Sequence, residues 1–222
     1  MVRRSVALIV FLSAVWLPSL LAQDPELHTI NFNLGGGLSV PLNPTARYAG
    51  VSGSATSGLG VNLDRNNALE GDFLWVGLPP NRSLSRPFFT PNVSVNLVAL
   101  TGQYRFHVDD IGHSPFGFYM LAGGGWYYRF TSLGRRFIVP PSTPCQPVYN
   151  WWGLSCGSDG FVSFTDRGSH GSSAGGVNGG LGFTIRFAHT GWKFFTESRY
   201  HYVFSTYVPT TFIPVAFGFR YN

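Results

Sequence analysis

From Phe116 to Phe130 the chain changes character at every residue. Phe116, Phe118, Met120, Ala122, Trp126, Tyr128 and Phe130 share one parity. Gly117, Tyr119, Gly123, Gly125, Tyr127 and Arg129 take the other. Successive side chains of a β-strand point to opposite faces, so this period of two predicts a long strand with one apolar face. The same pattern returns along the chain. Ile30, Phe32, Leu34, Leu38 and Val40 oppose Asn31, Asn33 and Ser39, with Gly35 and Gly37. Val51, Ala55, Leu59, Val61 and Leu63 oppose Ser52, Ser54, Thr56 and Asn62. Leu69, Phe73 and Trp75 oppose Glu70 and Asp72. Val93, Val95, Leu97 and Ala99 oppose Asn92, Ser94 and Asn96, and a bulge is expected before Leu100, Tyr104 and Phe106 resume the apolar face. Val177, Leu181, Phe183, Ile185 and Phe187 oppose Asn178, Thr184 and Arg186. Trp192, Phe194, Tyr200 and Tyr202 oppose Lys193, Glu197, Arg199 and His201. Ile213, Val215, Phe217, Phe219 and Tyr221 oppose Ala216, Gly218 and Arg220. Pro214 is expected near the start of that last strand, where a missing N–H is tolerable.

Eight strands of this length match a membrane, where about 10 tilted residues cross the apolar band. The connections alternate. Residues 64–67, 107–114 and 188–191 read as short turns, and Asp64, Arg65, Asn66 and Asn67 carry turn chemistry. Residues 41–50, 79–91, 132–174 and 205–210 read as the longer loops. Short turns on one side and long loops on the other are the outer-membrane barrel signature. Composition agrees. Only 11% of residues are charged while 16% are aromatic, and there are 28 glycines. An average soluble domain carries roughly 25% charged residues, so a water-facing surface would be hard to cover. Outside the N-terminus no apolar run approaches the roughly 20 residues of a spanning helix. The fold class is therefore all-β: an eight-stranded antiparallel up-and-down transmembrane β-barrel. A lipocalin-like soluble barrel is the rival. Its interior would have to hold every large aromatic, which eight strands do not allow.

Residues 1–22 read as a secretory signal peptide: Arg3 and Arg4, an apolar stretch from Val6 to Leu21, and a small Ala22 before Gln23-Asp24-Pro25. Residues 23–222 form the barrel domain, with a long external loop at about 132–174. Removing Arg3 and Arg4 reduces an already modest net charge of +5, and no basic run or aromatic nucleic-acid motif exists. Nucleic acid is excluded as a partner. Cys145 and Cys156 are the only cysteines, and pairing would close a short loop worth about 3 kcal/mol in an oxidising compartment. Trp151 and Trp152 beside them suggest a small packed cluster in the long loop.

The apolar parity faces lipid, with Trp75, Trp126, Tyr128, Tyr200, Tyr202 and Tyr221 as girdle residues. The other parity fills the lumen with a charge ladder: Glu70, Asp72, Arg129, Arg186, Glu197, Arg199, His201 and Arg220. Unpaired, such charges are costly, so they should pair across the lumen and plug it. The long-loop side carries Arg47, Arg82, Arg86, Arg135, Arg136 and Arg167 against Asp159 and Asp166. Arginine forks suit phosphate, which makes this rim a candidate lipopolysaccharide contact.

The stretches Phe32-Asn33-Leu34-Gly35-Gly36-Gly37-Leu38-Ser39-Val40-Pro41, Asn178-Gly179-Gly180-Leu181-Gly182, Phe195-Thr196-Glu197-Ser198-Arg199-Tyr200-His201 and Ile213 to Tyr221 resemble the small outer-membrane barrels of the OmpA/OmpX type. The resemblance covers almost all of the mature chain. It implies a monomer exported to the bacterial outer membrane, with a structural or interaction role and no cofactor. It also implies that the last strand, through Phe217, Phe219 and Tyr221, is read by the barrel-assembly machinery. Here the aromatic is penultimate, before Asn222. Some relatives are lipid A-modifying enzymes, but catalysis would need Ser, His and an acid in reach. Glu197, Arg199 and His201 share the lumen face while Ser198 points away, so no catalytic residue is assigned. His107, Asp109, Asp110 and His113 form a solvated turn better than a metal site, and the glycine runs precede no helix that would make them phosphate cradles. A narrow solute channel is the alternative function.

Overall fold

The computed structural model describes residues 30–79, 93–108, 115–133, 147–150, 153–156, 169–187, 191–205 and 208–221. Eight strands close a ring: β1 (Ile30–Pro41), β2 (Ser52–Asn62), β3 (Asn67–Gly77), β4 (Val93–His107), β5 (Phe116–Leu133), β8 (Ser169–Arg186), β9 (Trp192–Val203) and β10 (Thr210–Tyr221). Each pairs antiparallel with its neighbours, and the seam between β1 and β10 runs from Phe32↔Tyr221 to Pro41↔Phe212. Closure leaves no edge strand, which is what a sheet in lipid requires. Two short strands, β6 (Pro147–Asn150) and β7 (Gly153–Cys156), pair with each other inside the long loop. The only described helix is one 3-10 turn, Thr45–Arg47, so none is long and apolar enough to cross a membrane.

The alternation in sequence becomes inside and outside. Leu34 is 62% exposed on the outer face, whereas Asn33 beside it is 1% exposed in the lumen. Aromatics crowd both ends of the outer face. At the short-turn end Phe32 and Tyr221 meet Trp192, with ring centroids 5.4 and 5.5 Å from it. In the long-loop half Trp126 stacks on Tyr128 at 5.5 Å. Trp75, Tyr200 and Tyr202 lie in the same half. Between them the outer surface carries small residues, among them Gly71, Gly102, Gly124 and Gly179, which pair or adjoin around the waist. Aromatic rings toward each end with small residues between them are the arrangement expected of a barrel that spans a bilayer.

Glycines also line the inside, and three of them lie beneath an aromatic ring of another strand. A Cβ at Gly182 would sit 2.1 Å from the Tyr119 ring. One at Gly176 would lie 2.7 Å from Tyr127, and one at Gly35 would lie 2.8 Å from Phe195. The glycines thus make room for three large rings in a lumen too narrow to hold them otherwise.

Three expectations are corrected. β4 has no bulge: its register runs unbroken against both β3 and β5. Val95, Leu97 and Ala99 are consequently buried in the lumen, and Ser94 lies on the outer face. At the long-loop end polar headgroups tolerate Ser94, while the apolar side chains gain a core. Pro214 sits within β10 rather than near its start. It pairs with Ser39, and the β9–β10 pairing passes from Phe212↔His201 to Val215↔Ser198 across it. Finally, β8 begins at Ser169, well before Val177. Its first residues are Ser, His, Gly and Ala with no apolar alternation, and they are held by the matching length of β5.

Candidate functional site: the lumen and its two mouths

Four strands supply the ion network in the middle of the lumen. Glu70 and Asp72 come from β3, Arg105 from β4, Glu197 and Arg199 from β9, and Arg220 from β10. Arg199 Nη1 donates to Asp72 Oδ2 at 2.6 Å and its Nε donates to Glu197. Thr56 also donates to Asp72, at 3.1–3.2 Å. Glu197 Oε2 accepts the Tyr119 hydroxyl at 2.7 Å and lies 3.6 Å from Arg220 Nη2. Glu70 pairs with Arg105 and accepts from Asn33. The sequence-derived ladder therefore divides. Glu70, Asp72, Glu197, Arg199 and Arg220 lie in this network. His201 stands apart, with Nδ1 2.9 Å from the Tyr127 hydroxyl and its ring stacked 4.8 Å from Phe212. Arg129 is buried further toward the long-loop end, and Arg186 is half-buried at the short-turn end.

Sequence reasoning missed Arg105 as a ladder member and placed His107 in a turn. Both are buried in the lumen. The signal was available: Tyr104 and Phe106 face lipid, so residues 105 and 107 face in. Tyr119 and Tyr127 were read as inward-facing, but their hydrogen bonds to Glu197 and His201 depend on register across strands.

Among the described residues, apolar packing fills the long-loop end of the lumen. Ala49, Leu74, Val76, Leu78, Val95, Leu97, Ala99, Tyr127, Val203 and Phe212 form one buried cluster. Ala49 and Leu78 come from the loops after β1 and β3. These loops are pinned over the opening. Gly50 N donates to Pro79 O at 2.8 Å, Leu78 N donates to Val95 O at 2.7 Å, and Thr211 N donates to Thr45 Oγ1 at 2.7 Å. The described interior thus carries an apolar cluster toward the long-loop end, with Arg129 beside it, and the ion network toward the middle.

Outside the lumen, Arg47 is exposed on the 3-10 turn. Arg82, Arg86, Arg135, Arg136 and Arg167 lie outside the described residues, as do Cys145, Trp151, Trp152, Asp159 and Asp166. Cys156 ends β7. Phe217 and Phe219 project from the outer face of β10, and Tyr221 packs on Trp192. No group of three potential metal ligands occurs among the described residues, and Asp109, Asp110 and His113 lie outside them. Ser198 is exposed on the outer face, away from His201.

No family model matches the sequence, and no curated protein matches it. Solved structures do. Neisserial surface protein A (NspA) aligns over 87% of this chain and 97% of its own, with a TM-score of 0.57 at 12% identity. A major outer membrane protein from Thermus thermophilus aligns over 87% of this chain and 99% of its own, with a TM-score of 0.51 at 8% identity. Identities this low speak of architecture only. That architecture, reached independently from ring order, lipid-facing parity and a plugged interior, is the fold of the small eight-stranded outer-membrane barrels of the OmpA/OmpX type.

Proposed function

We propose that this chain is a monomeric integral protein of the bacterial outer membrane that acts through its outward-facing loops, with lipopolysaccharide as the contact. The observation that carries this reading is the filled lumen: ion pairs occupy its middle and an apolar cluster fills its outer end. A barrel whose interior is occupied in this way has its exterior and loops left to work with. Residues 1–22 direct export and are removed, and Cys145 pairs with Cys156 after export. The outer face of β10, with Phe217, Phe219 and Tyr221, is the feature the barrel-assembly machinery reads. Arg47, exposed beside the mouth, is one member of a basic rim completed by Arg82, Arg86, Arg135, Arg136 and Arg167. Guanidinium groups bind phosphate bidentately, and the attraction is strongest at low salt. The test is lipopolysaccharide retained by protein purified in mild detergent. Replacing the six rim arginines by Gln should lower retention several-fold at low ionic strength without altering folding. Equal retention by the variant would remove lipopolysaccharide from the proposal.

A further inference from the structure

Three strands run on past their neighbours in the ring. The β8–β9 ladder ends at Gly176↔Val203, while the β5–β8 ladder continues to Ser132↔Ser169. The β3–β4 ladder ends at Gly77↔Asn96, while the β4–β5 ladder continues to Val93↔Leu133. β4, β5 and β8 therefore form a three-stranded sheet that projects on the long-loop side. Its outer face continues the lipid-facing surface of the barrel, because the parity of β5 does not change between Trp126 and Phe130.

That face carries an aromatic row. Trp126, Tyr128 and Phe130 follow one another along β5, with ring centroids 5.5 and 6.3 Å apart and planes within 14° and 26° of parallel. Trp126 is 45% exposed, and Tyr128 and Phe130 are half-buried. Their register partners on β8 are all small: Gly175 opposite Trp126, Ser173 opposite Tyr128 and Gly171 opposite Phe130. A Cβ at Gly171 would fall on the Tyr128 hydroxyl, so the bare backbone there lets Tyr128 lean across β8. On β4 the partners of Phe130 and Tyr128 are Asn96 and Val98. The row is thus bordered by an amide, a hydroxyl and bare backbone. None of the outward residues described on this projecting sheet is charged.

An interfacial belt accounts for Trp126 and Tyr128, whose rings join an apolar body to a polar tip. It does not account for Phe130. That ring has no polar tip and stands further from the hydrocarbon than Tyr128, where a bilayer offers headgroups and water. A pyranose would cover it. The faces of such a sugar present C–H bonds, which pack on aromatic rings, and its rim presents hydroxyls, which suit Asn96 and Ser173. The layer directly outside the hydrocarbon is the headgroup layer of the outer leaflet, and in lipopolysaccharide that layer is sugar. A phosphate would find no cation among the described outward residues of the sheet.

We propose that the outer face of the projecting sheet is a sugar-binding platform, on which Trp126, Tyr128 and Phe130 hold the core oligosaccharide of a lipopolysaccharide molecule in the same leaflet. This rests on the reading of lipopolysaccharide as the contact, and it adds an uncharged subsite separate from the arginine rim.

The folded full-length protein in mild detergent is titrated with two purified lipopolysaccharides. One has a complete core, and the other is a deep-rough form cut back to lipid A and the innermost sugars. The parent should bind the complete-core form about tenfold more tightly, the order of effect carried by aromatic anchors. The double variant Tyr128→Ser, Phe130→Ser should bind both forms alike, at the parent's affinity for the deep-rough form. Gly175→Leu tests the platform without removing a ring. A Cβ there meets nothing nearer than 4.0 Å, so the barrel has room for it, and the side chain stands where the sugar would. It should abolish the preference as well. A heat-dependent gel shift shows which variants are folded. Equal binding of the two forms by the parent overturns the platform, and so does a preference that survives in both variants. A parent dimer that the double variant converts to a monomer would give the face to a second copy and overturn it too. Replacing the six rim arginines by Gln should weaken binding of both forms and keep their ratio. Parent-like affinity in that variant would count against the rim, while the ratio of the two forms still decides the platform.

Discussion

At the scale of single residues, the interior is built on size complementarity and on shared charge. Gly182 exists for Tyr119. Adding one methyl there places a carbon 2.1 Å from the ring, so Gly182→Ala should destabilise the barrel by about 1–3 kcal/mol in urea unfolding from lipid vesicles. Gly102 offers the opposite case. A Cβ there meets nothing within 4 Å, so Gly102→Ala should be neutral or stabilise by up to about 1 kcal/mol. Two glycines of identical composition thus differ in sign, and the difference rests on which face each occupies. Asp72 shows the same dependence on surroundings. Removing its charge in Asp72→Asn leaves Arg199 buried with one carboxylate instead of two, at a cost of about 3 kcal/mol. Asp72→Leu with Arg199→Met should recover part of that loss, because no uncompensated guanidinium remains. A double variant as unstable as the single one would show that Arg199 contributes chiefly through Glu197.

At the scale of elements, the β2–β3 turn is set by one carboxylate. Asp64 accepts from the Asn66 and Asn67 amides at 2.8 Å and from the Asn67 side chain at 2.7–2.8 Å. Slight burial would raise its pKa, but these hydrogen bonds outweigh it and hold the carboxyl below its ordinary value of 3.8. A carboxyl depressed in the folded state contributes stability that is full above that ordinary value. The contribution is lost as pH falls through the lower, folded value. Unfolding midpoints followed from pH 7 downward should therefore show a loss in the parent below about pH 4 that Asp64→Ala lacks. A parent and variant with parallel pH profiles would count against this role. Element by element, β1, β5 and β10 were legible because one parity is apolar or glycine over most of their length, and β3 and β9 because large apolar residues on one parity oppose charged ones on the other. β4 was not, because its apolar residues change face midway: Val95, Leu97 and Ala99 pack inside, then Leu100, Tyr104 and Phe106 face lipid. Alternation alone reads that switch as a bulge. The unbroken register exists only because β3 offers Leu74 and Val76 as inward partners. The start of β8 and the pair β6 and β7 were invisible for a related reason. Their residues show no apolar face of their own, and pairing with a neighbour is what makes them strands.

At the scale of the whole molecule, the ring and its filling were both expected from strand count, since eight strands enclose space for side chains and little else. What the count leaves out is how that filling is arranged along the barrel axis. The ionic part and the apolar packing at the long-loop end emerge only when loops bring Ala49 and Leu78 over the opening. The consequence is measurable. In planar bilayers the protein should give no steady conductance, and discrete stable openings would return the narrow-channel reading to first place. The candidate ligand surfaces were legible in unequal measure. The basic rim reads directly from composition of the long connections, whereas the pairing of Arg199 with Asp72 across the lumen needs several registers known at once.

The seam between β1 and β10 is made of the same antiparallel ladder as every other junction in the ring. A circle has no first member. A gene rewritten to begin at β8 and to end at β5, with a short linker joining β10 to β1, specifies the same cylinder. Such a rearranged chain should fold in detergent, yet Phe217, Phe219 and Tyr221 would then lie in mid-sequence instead of at the tail. Comparing its folding in vitro with its arrival in the membrane of living cells would separate what the shape requires from what the delivery route requires.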